Sequence, residues 1–312
     1  PYNRGTVTTS FRCNICFHTT APEETEQATV HCNLRRFRDE RFAVWRCPRC
    51  RSIHARDEVD LDHYYAGYTF HTLELDWRLR AMYRSQLGRL RRAGLHRDHA
   101  LLDYGCGGGI FLRYLRERGY EAARGFDAYD AHFADRTVLD RTYDVVLAQD
   151  VVEHVADPWE LLRELDALTK PGGVIAVGTP NADAIDLRRA DDFAHTLHEP
   201  YHRHIFSRQA LLDAGRQMGW QLQRYYATMY INTLVPFVNH RFFMHYLRCF
   251  DDTLDLVNEG IRTDSARLFL PDTLFHAFFG YFLAPRTDGM AVFHKPRQLP
   301  AAASPEAHRA AQ

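Results

Sequence analysis

The sequence predicts an α/β protein with a doubly wound, mostly parallel sheet, a small N-terminal zinc-ribbon-like module and a helical aromatic cap. Three observations support this prediction. From residue 100 onward, short apolar strand patterns alternate with amphipathic helix patterns, which is typical of a parallel sheet covered by helices. Two Cys-x-x-Cys pairs stand in the first 50 residues. A long stretch rich in phenylalanine and tyrosine separates the last two predicted strands.

Composition excludes several classes of protein. The chain has 312 residues, and 46% of them are hydrophobic, which is ample for a buried core. Because 39 basic residues face 40 acidic ones, no strong field attracts nucleic acid or an anionic membrane. No run of about 18 apolar residues predicts a membrane span, and no signal-like segment begins the sequence. We therefore expect a cytoplasmic protein with a small-molecule substrate, without nucleic acid or membrane as a partner.

The two cysteine pairs predict a structural zinc site. Cys13 and Cys16 form one pair and Cys47 and Cys50 the other, and a gap of two residues lets both thiolates of a pair reach one tetrahedral ion. In a reducing compartment this pattern favours metal ligation over disulfides. A redox dithiol would need one pair at a helix N-terminus, and neither pair has that context. Cys32 is a spare cysteine that could replace one ligand.

Changes of charge and pattern divide the chain, since the first 99 residues are net basic and the remainder is net acidic. The pattern within residues 76–97 predicts an amphipathic linker helix. The predicted divisions are a zinc-binding module (1–58), a helical linker (59–99), a cofactor-binding core (100–231), a helical cap insertion (232–288), the last strand of the core (289–297) and a disordered tail (298–312).

The predicted core elements follow one another closely. Strands are expected at residues 100–104, 122–127, 143–148, 174–178, 221–229 and 289–294, and helices at 110–118, 159–168 and 207–218. Residues 171–173, Pro-Gly-Gly, are expected to form the turn that launches the fourth strand. The aromatic cap is expected either to cover a pocket or to form the contact of a homodimer. Both alternatives stay open.

A glycine loop lies where the first core strand meets its helix, the place where doubly wound sheets bind nucleotide-like ligands. Its sequence is Asp103-Tyr-Gly-Cys-Gly-Gly-Gly109. A phosphate-binding P-loop requires a lysine, which is absent here. A dinucleotide fingerprint requires glycine or alanine where Ile110 stands. These exclusions leave a ligand that contains adenosine but no pyrophosphate.

The motif Asp-x-Gly-x-Gly-x-Gly, followed by the acidic Asp127 after the next strand, resembles the class I S-adenosylmethionine-dependent methyltransferases. Further matching segments are Val-Val-Glu-His-Val-x-Asp-Pro at residues 151–158 and Lys-Pro-Gly-Gly at 170–173. The former is most similar to the branch that contains ubiquinone-biosynthesis O-methyltransferases and many natural-product or sugar methyltransferases. A zinc-binding segment before the glycine loop is also found in a set of bacterial small-molecule methyltransferases. The resemblance implies a Rossmann-like core and S-adenosylmethionine, or its product S-adenosylhomocysteine, as cofactor.

The resemblance also implies roles for individual residues. Asp127 would bind the ribose hydroxyls, and Gln149 and Asp150 would flank the sulfonium. The loop that wraps the methionine part comprises Asp103, Gly105, Cys106, Gly107 and Gly109, with Cys106 expected to be a small filler rather than a nucleophile. One departure is that residues 126–143 are short for the helix, strand and adenine-contacting loop of the family, so Asp135 or Asp140 would have to contact adenine.

Histidines supply the candidate proton acceptors. His-Glu-Pro-Tyr-His at residues 198–202 matches a zinc-protease motif, but its proline disfavours the helix that this motif requires. The segment instead predicts a loop over the carboxyl edge of the sheet. Histidine titrates near neutral pH and suits removal of a proton from an acceptor. The candidates in order are His204, His202, His154 and His198, with Glu153 as an orienting carboxylate. A divalent cation held by Glu153, His154 and one loop histidine is the alternative.

The function expected from the resemblance is transfer of a methyl group to a small or medium organic acceptor, at oxygen first, with carbon and nitrogen open. Two other functions remain as alternatives: a zinc-ribbon RNA methyltransferase, and a zinc-stabilised binding protein without catalysis. The near-neutral charge disfavours the first of these, since tracking phosphates requires a basic surface.

Overall fold

The computed structural model describes residues 10–57, 59–65 and 74–297. The predicted disordered tail, 298–312, lies outside these residues. Within the described ranges, no helix is both long enough and apolar enough to cross a bilayer.

Twelve strands and eight α-helices are described. The strands are β1 (Phe11–Arg12), β2 (Thr19–Thr20), β3 (Glu26–His31), β4 (Arg41–Arg46), β5 (Ile53–Ala55), β6 (Leu101–Tyr104), β7 (Ala123–Phe126), β8 (Tyr143–Gln149), β9 (Thr169–Pro180), β10 (His204–Ile205), β11 (Gln221–Tyr226) and β12 (Asp288–His294). The α-helices are α1 (Leu61–Tyr65), α2 (Trp77–Arg92), α3 (Ile110–Glu117), α4 (Pro158–Leu168), α5 (Ala194–Leu197), α6 (Arg208–Gln217), α7 (His240–Cys249) and α8 (Pro271–Phe279). Short 3-10 helices include Arg35–Phe37, Arg136–Leu139, Leu254–Val257 and Gly280–Leu283.

The central sheet confirms the predicted fold class. Its six strands run in the order β11-β12-β9-β8-β6-β7. The pairs β7/β6, β6/β8 and β8/β9 are parallel, whereas β12 is antiparallel to both β9 and β11. Because parallel strands end at the same edge, the residues that follow β6 and β8 come together there.

Alternation along the strands places apolar side chains on both faces of this sheet. On β8, Val146 packs on one face with α4 and α6, whereas Val145 and Leu147 pack on the other face with α2 and α3. Strands buried on both faces read as continuous apolar runs, which is why the sequence pattern located them.

One predicted turn proves to be part of a strand. Pro-Gly-Gly at 171–173 lies inside β9, and the register with β8 shifts there between the pairs Tyr143–Thr169 and Val145–Val174. Gly172 donates its N–H to the carbonyl of Lys295 at 2.8 Å and has a φ of 85°. The glycine is thus used for a bulge, because its positive φ lets the chain rejoin the ladder.

The stretch between β7 and β8 is short. Residues 127–142 hold one 3-10 helix, Arg136–Leu139, and β7 forms the edge of the sheet. Asp135 caps that 3-10 helix by accepting the Thr137 N–H at 2.9 Å. Both Asp135 and Asp140 are exposed to solvent.

The N-terminal residues form a second, antiparallel sheet in the order β10-β5-β4-β3. Its fourth strand, His204–Ile205, comes from the stretch that the sequence assigned to the cofactor-binding core. The Trp159 ring on α4 donates its N–H to the carbonyl of Ile15 at 3.1 Å, and Ser207 donates its hydroxyl to the carbonyl of Cys50 at 2.6 Å. The cysteine-bearing segment is therefore fastened directly to the helices that cover the central sheet.

Residues 232–288 form the predicted helical insertion between β11 and β12, built on α7 and α8. Its interior contains Leu247, Leu256 and Ala277, all nearly inaccessible to solvent. Many other apolar side chains of the insertion are strongly exposed. These exposed side chains include Phe269, Leu270, Leu274, Phe275, Phe278, Phe279 and Phe282. A contact with a second copy through this surface stays a prediction.

Candidate active site

The glycine loop after β6 adopts backbone conformations that favour glycine. Gly105, Gly107 and Gly109 have φ values of 75°, 49° and 69°. A Cβ at Gly105 would clash with Val151 and one at Gly109 with Phe133, whereas a Cβ at Gly107 would meet no atom within 4 Å. The loop is therefore close-packed on its two ends and open at Gly107, where a ligand can approach the backbone.

A cavity of about 240 Å³ opens beside this loop. Its lining contains six of the predicted cofactor residues: Asp103, Gly105, Cys106, Gly107, Gln149 and Asp150. It also contains side chains that the sequence did not indicate: Tyr83, Gln86, Phe111, Leu147 and Tyr230. Of these side chains, Gln86 could have been found from the sequence, because it is a polar residue on the buried face of the amphipathic linker helix α2.

The other two predicted cofactor residues support the loop. Gly109 is the N-cap of α3. The Asp127 carboxylate accepts the Gly107 N–H at 2.8 Å through one oxygen and the Tyr129 N–H at 2.9 Å through the other. Asp127 thus lies next to the open part of the loop, at the end of β7.

Buried acids give this cavity a preference for cations. Burial raises the pKa of Asp103 to about 7, and the negative charge of Asp127 adds to the shift. Burial also raises the pKa of Asp150 to about 7, with Asp288 as a second cause. Gln149 donates to the Asp150 carboxylate at 2.8 Å. A ligand with a positive charge would stabilise both carboxylates in their ionised form.

Cys106 behaves as the expected filler. Its thiol pKa is raised by burial, and Asp103 and Asp127 add to the shift, so that the thiolate required of a nucleophile is disfavoured. The sulfur lies 3.6 Å from the carbonyl of Gly107.

A second cavity, of about 350 Å³, adjoins the first. Tyr83, Asp150 and Tyr230 line both cavities. The apolar residues that line the second cavity are Leu79, Met82, Met229, Ile231, Phe243, Met244, Leu254 and Val257. Its polar lining residues include Glu153, His154, His195, Thr196, His198, His202, His240 and Asp288. Residues of the cap thus cover a cavity, as one of the two predicted roles requires.

Three of the predicted histidines lie together in this second cavity. The ring centres of His154 and His202 are 4.8 Å apart, and those of His198 and His202 are 5.0 Å apart. Helix α5 ends at His198, which has a φ of 43°, so the two histidines of the protease-like motif do not share a helix. This confirms that the motif lacks the geometry of a zinc protease.

Burial keeps these histidines neutral. It lowers the pKa of His154 to about 4 and moves those of His198 and His202 well below the usual range, with neighbouring histidines as a further cause for the latter two. His202 donates from Nδ1 to the carbonyl of Thr196 at 3.0 Å. A neutral imidazole that donates through Nδ1 carries its lone pair on Nε2, so His202 can accept a proton there.

Glu153 is fully buried beside the histidines. Its Oε2 accepts the Thr179 hydroxyl at 3.0 Å, and its Oε1 has no hydrogen-bond partner among the residues that the structure describes. Burial raises its pKa well above the usual range, and the charge of Asp150 adds to the shift. Glu153, His154 and His202 each offer one ligand atom, and these atoms lie within 4.8 Å of one another.

His204, the first candidate base, lies elsewhere. It pairs with His54 across the β10/β5 ladder, and its Nδ1 is 3.1 Å from the Asn14 amide nitrogen. Burial lowers its pKa to about 3. His204 does not line either cavity described here.

The four paired cysteines converge on one point. The sulfur atoms of Cys13 and Cys50 are 3.6 Å apart, as are those of Cys16 and Cys47, and all four lie within 4.8 Å of one another. Four thiolates at about 2.3 Å from a tetrahedral zinc would be separated by similar distances. The donor set therefore fits a closed zinc site, and Cys32 lies outside this cluster.

Comparison with known proteins tests the resemblance. A family model described as a methyltransferase domain matches residues 77–225, which include α2, the glycine loop and all the predicted cofactor and base residues. This part of the chain is therefore a methyltransferase domain. The resemblance inferred from the sequence motifs is thereby confirmed.

Curated relatives of this chain are named ubiquinone biosynthesis O-methyltransferases. The protein from Caulobacter vibrioides is 35% identical over 102 residues, which are 26% of this chain and 40% of the relative. The protein from Ruegeria pomeroyi is 36% identical over 102 residues, which are 26% of this chain and 41% of the relative. The chain thus spans about 40% of the length of these relatives.

Solved structures resemble this chain more distantly. A SAM dependent methyltransferase from Archaeoglobus fulgidus has 17% identity and a TM-score of 0.39, with 70% of this chain and 100% of that chain covered. One from Mesorhizobium loti has 15% identity and a TM-score of 0.40, with 67% and 97% covered. Likeness at this level carries no information on substrate.

Proposed function

We propose that this methyltransferase moves a methyl group from S-adenosylmethionine to a hydroxyl oxygen of a small organic acceptor. The observation that carries the proposal is the junction of the two cavities at Tyr83, Asp150 and Tyr230. Methyl transfer from a sulfonium is an in-line displacement, so donor and acceptor must meet across such a junction. When bound, S-adenosylmethionine supplies the electrophilic methyl group.

The residues around the first cavity fit this cosubstrate. The open backbone at Gly107 provides space for the ligand, and Asp127 can accept hydrogen bonds from ribose hydroxyls. Asp103 and Asp150 provide negative charge for a ligand that carries an ammonium and a sulfonium group. No adenine-contacting role is assigned to Asp135 or Asp140, since both are exposed and line neither cavity.

The second cavity supports an acceptor with an apolar body and a polar, hydroxyl-bearing end. Such a molecule would place its body against Met82, Phe243 and Leu254 and its hydroxyl against the histidines. His202 would accept the hydroxyl proton at Nε2, with His154 and His198 beside it. The name of the curated relatives, O-methyltransferase, also favours oxygen over carbon and nitrogen.

A divalent cation at Glu153, His154 and His202 is a second candidate for activation of the acceptor. The unbonded Glu153 Oε1 and the close approach of the three ligand atoms favour it. A bound cation would lower the pKa of an acceptor hydroxyl. The cysteine cluster, in contrast, would hold a structural zinc without chemistry, because four thiolates leave no open coordination position.

Replacement of Gly107 by alanine should weaken cofactor binding at least tenfold, because the new methyl group enters the open cavity beside the loop. Isothermal titration with S-adenosylhomocysteine measures the dissociation constant. Gly94→Ala is the matched control: Gly94 also has a positive φ (106°), and a Cβ there would meet no atom within 4 Å, but it lies away from the cavity. Equal affinity in the two variants would show that the loop does not hold the nucleoside.

His202→Gln should reduce turnover by about 10²- to 10⁴-fold, the usual contribution of a general base. Release of S-adenosylhomocysteine from labelled S-adenosylmethionine, with a fractionated metabolite extract as acceptor source, measures turnover. His204→Gln serves as the control and should retain most of the activity, because its ring faces Asn14 rather than the cavity. The reverse ranking would return His204 to the role of base.

No release by the unmodified protein with any fraction would favour a binding protein without catalysis, and steeply salt-dependent RNA affinity would favour the RNA methyltransferase.

The two routes of acceptor activation differ in their dependence on a cation. If a cation acts, Mn²⁺ should bind with a stoichiometry near one in the zinc-loaded protein, and Glu153→Gln should weaken this binding by about tenfold or more. Paramagnetic resonance of free Mn²⁺ measures the binding. Histidine alone is the base if the unmodified protein binds no Mn²⁺ while turnover continues in a chelator.

Zinc at the cysteine cluster should be measurable as about one ion per chain by elemental analysis. Cys47→Ser should lose this zinc and unfold at a lower temperature, because metal binding at such sites contributes directly to folding. Cys32→Ser is the control: Cys32 is also buried, yet it lies outside the cluster and should keep its zinc. Zinc loss in both variants, or in neither, would contradict the proposed ligand set.

A further inference from the structure

The acceptor cavity has one wall that comes from the cap. Residues 251–259 follow α7 and contain the 3-10 helix Leu254–Val257. Leu254 and Val257 line the cavity. The position of this segment therefore affects the shape of the cavity.

Two residues of the connection between β3 and β4 contact this segment, in addition to His195 of α5, whose Nε2 lies 2.9 Å from the Asp252 carboxylate. The guanidinium of Arg35 donates from Nε to Asp251 at 2.5 Å and from Nη1 to Glu259 at 2.6 Å. The backbone N–H of Arg35 also donates to the Asp255 carboxylate at 2.8 Å. One residue thus joins three carboxylates that would otherwise repel one another across a short segment.

Asn33 adds contacts on the inner side. Its carbonyl accepts the Leu254 N–H at 2.9 Å. Its side-chain oxygen lies 2.8 Å from Nδ1 of His198, which must donate because an amide oxygen only accepts. Asn33 is only 1% exposed. The same residue therefore fixes both the cap segment and one of the histidines that line the cavity.

We propose that Asn33 and Arg35 form a clasp through which the N-terminal module shapes the acceptor cavity. Both are positioning residues: Arg35 holds the cap segment 251–259 over the cavity, and Asn33 orients the His198 ring. The zinc-ribbon-like module then contributes to acceptor binding as well as to stability. This inference rests on the proposed function in assigning the cavity to the acceptor.

The contacts of Arg35 differ from an isolated surface ion pair in the number of carboxylates that one residue contacts. An isolated exposed pair contributes little, because solvent screens it and two long side chains lose freedom. Here one guanidinium serves two carboxylates while the backbone of the same residue serves a third. Removal of the guanidinium leaves like charges on Asp251, Asp255 and Glu259, with Arg262 still 3.9 Å from Glu259, so that the segment should open more often.

Hydrogen exchange on the full-length, zinc-loaded protein tests the clasp. In Arg35→Ala, amides of residues 251–259 should exchange about tenfold faster than in the unmodified protein. Arg36→Ala is the matched control, since the Arg36 guanidinium lies 5.1 Å over the Phe37 ring and has no ion pair with the described residues. Glu259→Gln should accelerate exchange in the same direction by a smaller factor, with the arginine retained.

Ligand binding provides a second readout. Affinity for S-adenosylhomocysteine should stay within twofold in Arg35→Ala, because the clasp does not touch the glycine loop. With an active acceptor fraction, KM should rise about tenfold while kcat changes less than twofold, and Arg35→Lys should restore part of the loss.

The clasp and the proposed function can fail separately. Unchanged exchange of residues 251–259 in Arg35→Ala, compared with Arg36→Ala, overturns the clasp even if methyl transfer is established. Faster exchange combined with an unchanged KM overturns its role in acceptor binding. Absence of nucleoside binding in the unmodified protein overturns the proposed function and leaves the exchange result intact.

Discussion

Negative charge buried at one edge of the sheet is the constraint on which the site depends. Asp103 ends the buried part of β6, and Asp150 and Glu153 follow β8. In the part of the chain that the structure describes, none of the three forms an ion pair with a basic side chain. Burying a carboxylate without a partner is costly, and the raised pKa values of all three express that cost. A cationic ligand offsets this cost of burial, so this edge of the sheet favours the binding of positive charge.

The histidines complete this arrangement with the opposite preference. Burial disfavours the imidazolium form, so His154 and His202 stay neutral. A donor cavity that favours a cation thus adjoins an acceptor cavity whose bases are free of protons. Methyl transfer to a hydroxyl needs both properties at once, because the leaving sulfur gives up a positive charge and the acceptor gives up a proton.

The sequence predicted the elements whose signals are local. Gly105, Gly107 and Gly109 were identified because their spacing after a strand is itself the signal, and strands such as β8 were identified because both of their sides are apolar. Tyr230 and Asn33 carried no such signal, since each reaches its site only through contacts between segments far apart in the chain. For His204, a local signal suggested a place in the site that contacts between distant segments prevent. His202, two residues earlier, lines the cavity, whereas pairing of β10 with β5 directs His204 towards Asn14.

The motif at residues 198–202 shows how a pattern can keep its chemistry when its expected structure is absent. In a helix, two histidines four residues apart face the same side. Here the helix ends at His198, yet the His202 N–H still donates to the His198 carbonyl at 3.2 Å, closing a single turn of the same ring size. The two rings therefore remain 5.0 Å apart. Pro200 lies inside this turn and has no N–H with which to continue a helix. Glu199 is buried, and the charge of Asp57 contributes to a pKa well above the usual range. The four-residue spacing keeps the two histidines together, while the proline prevents the helix that would position the Glu199 carboxylate as a protease requires.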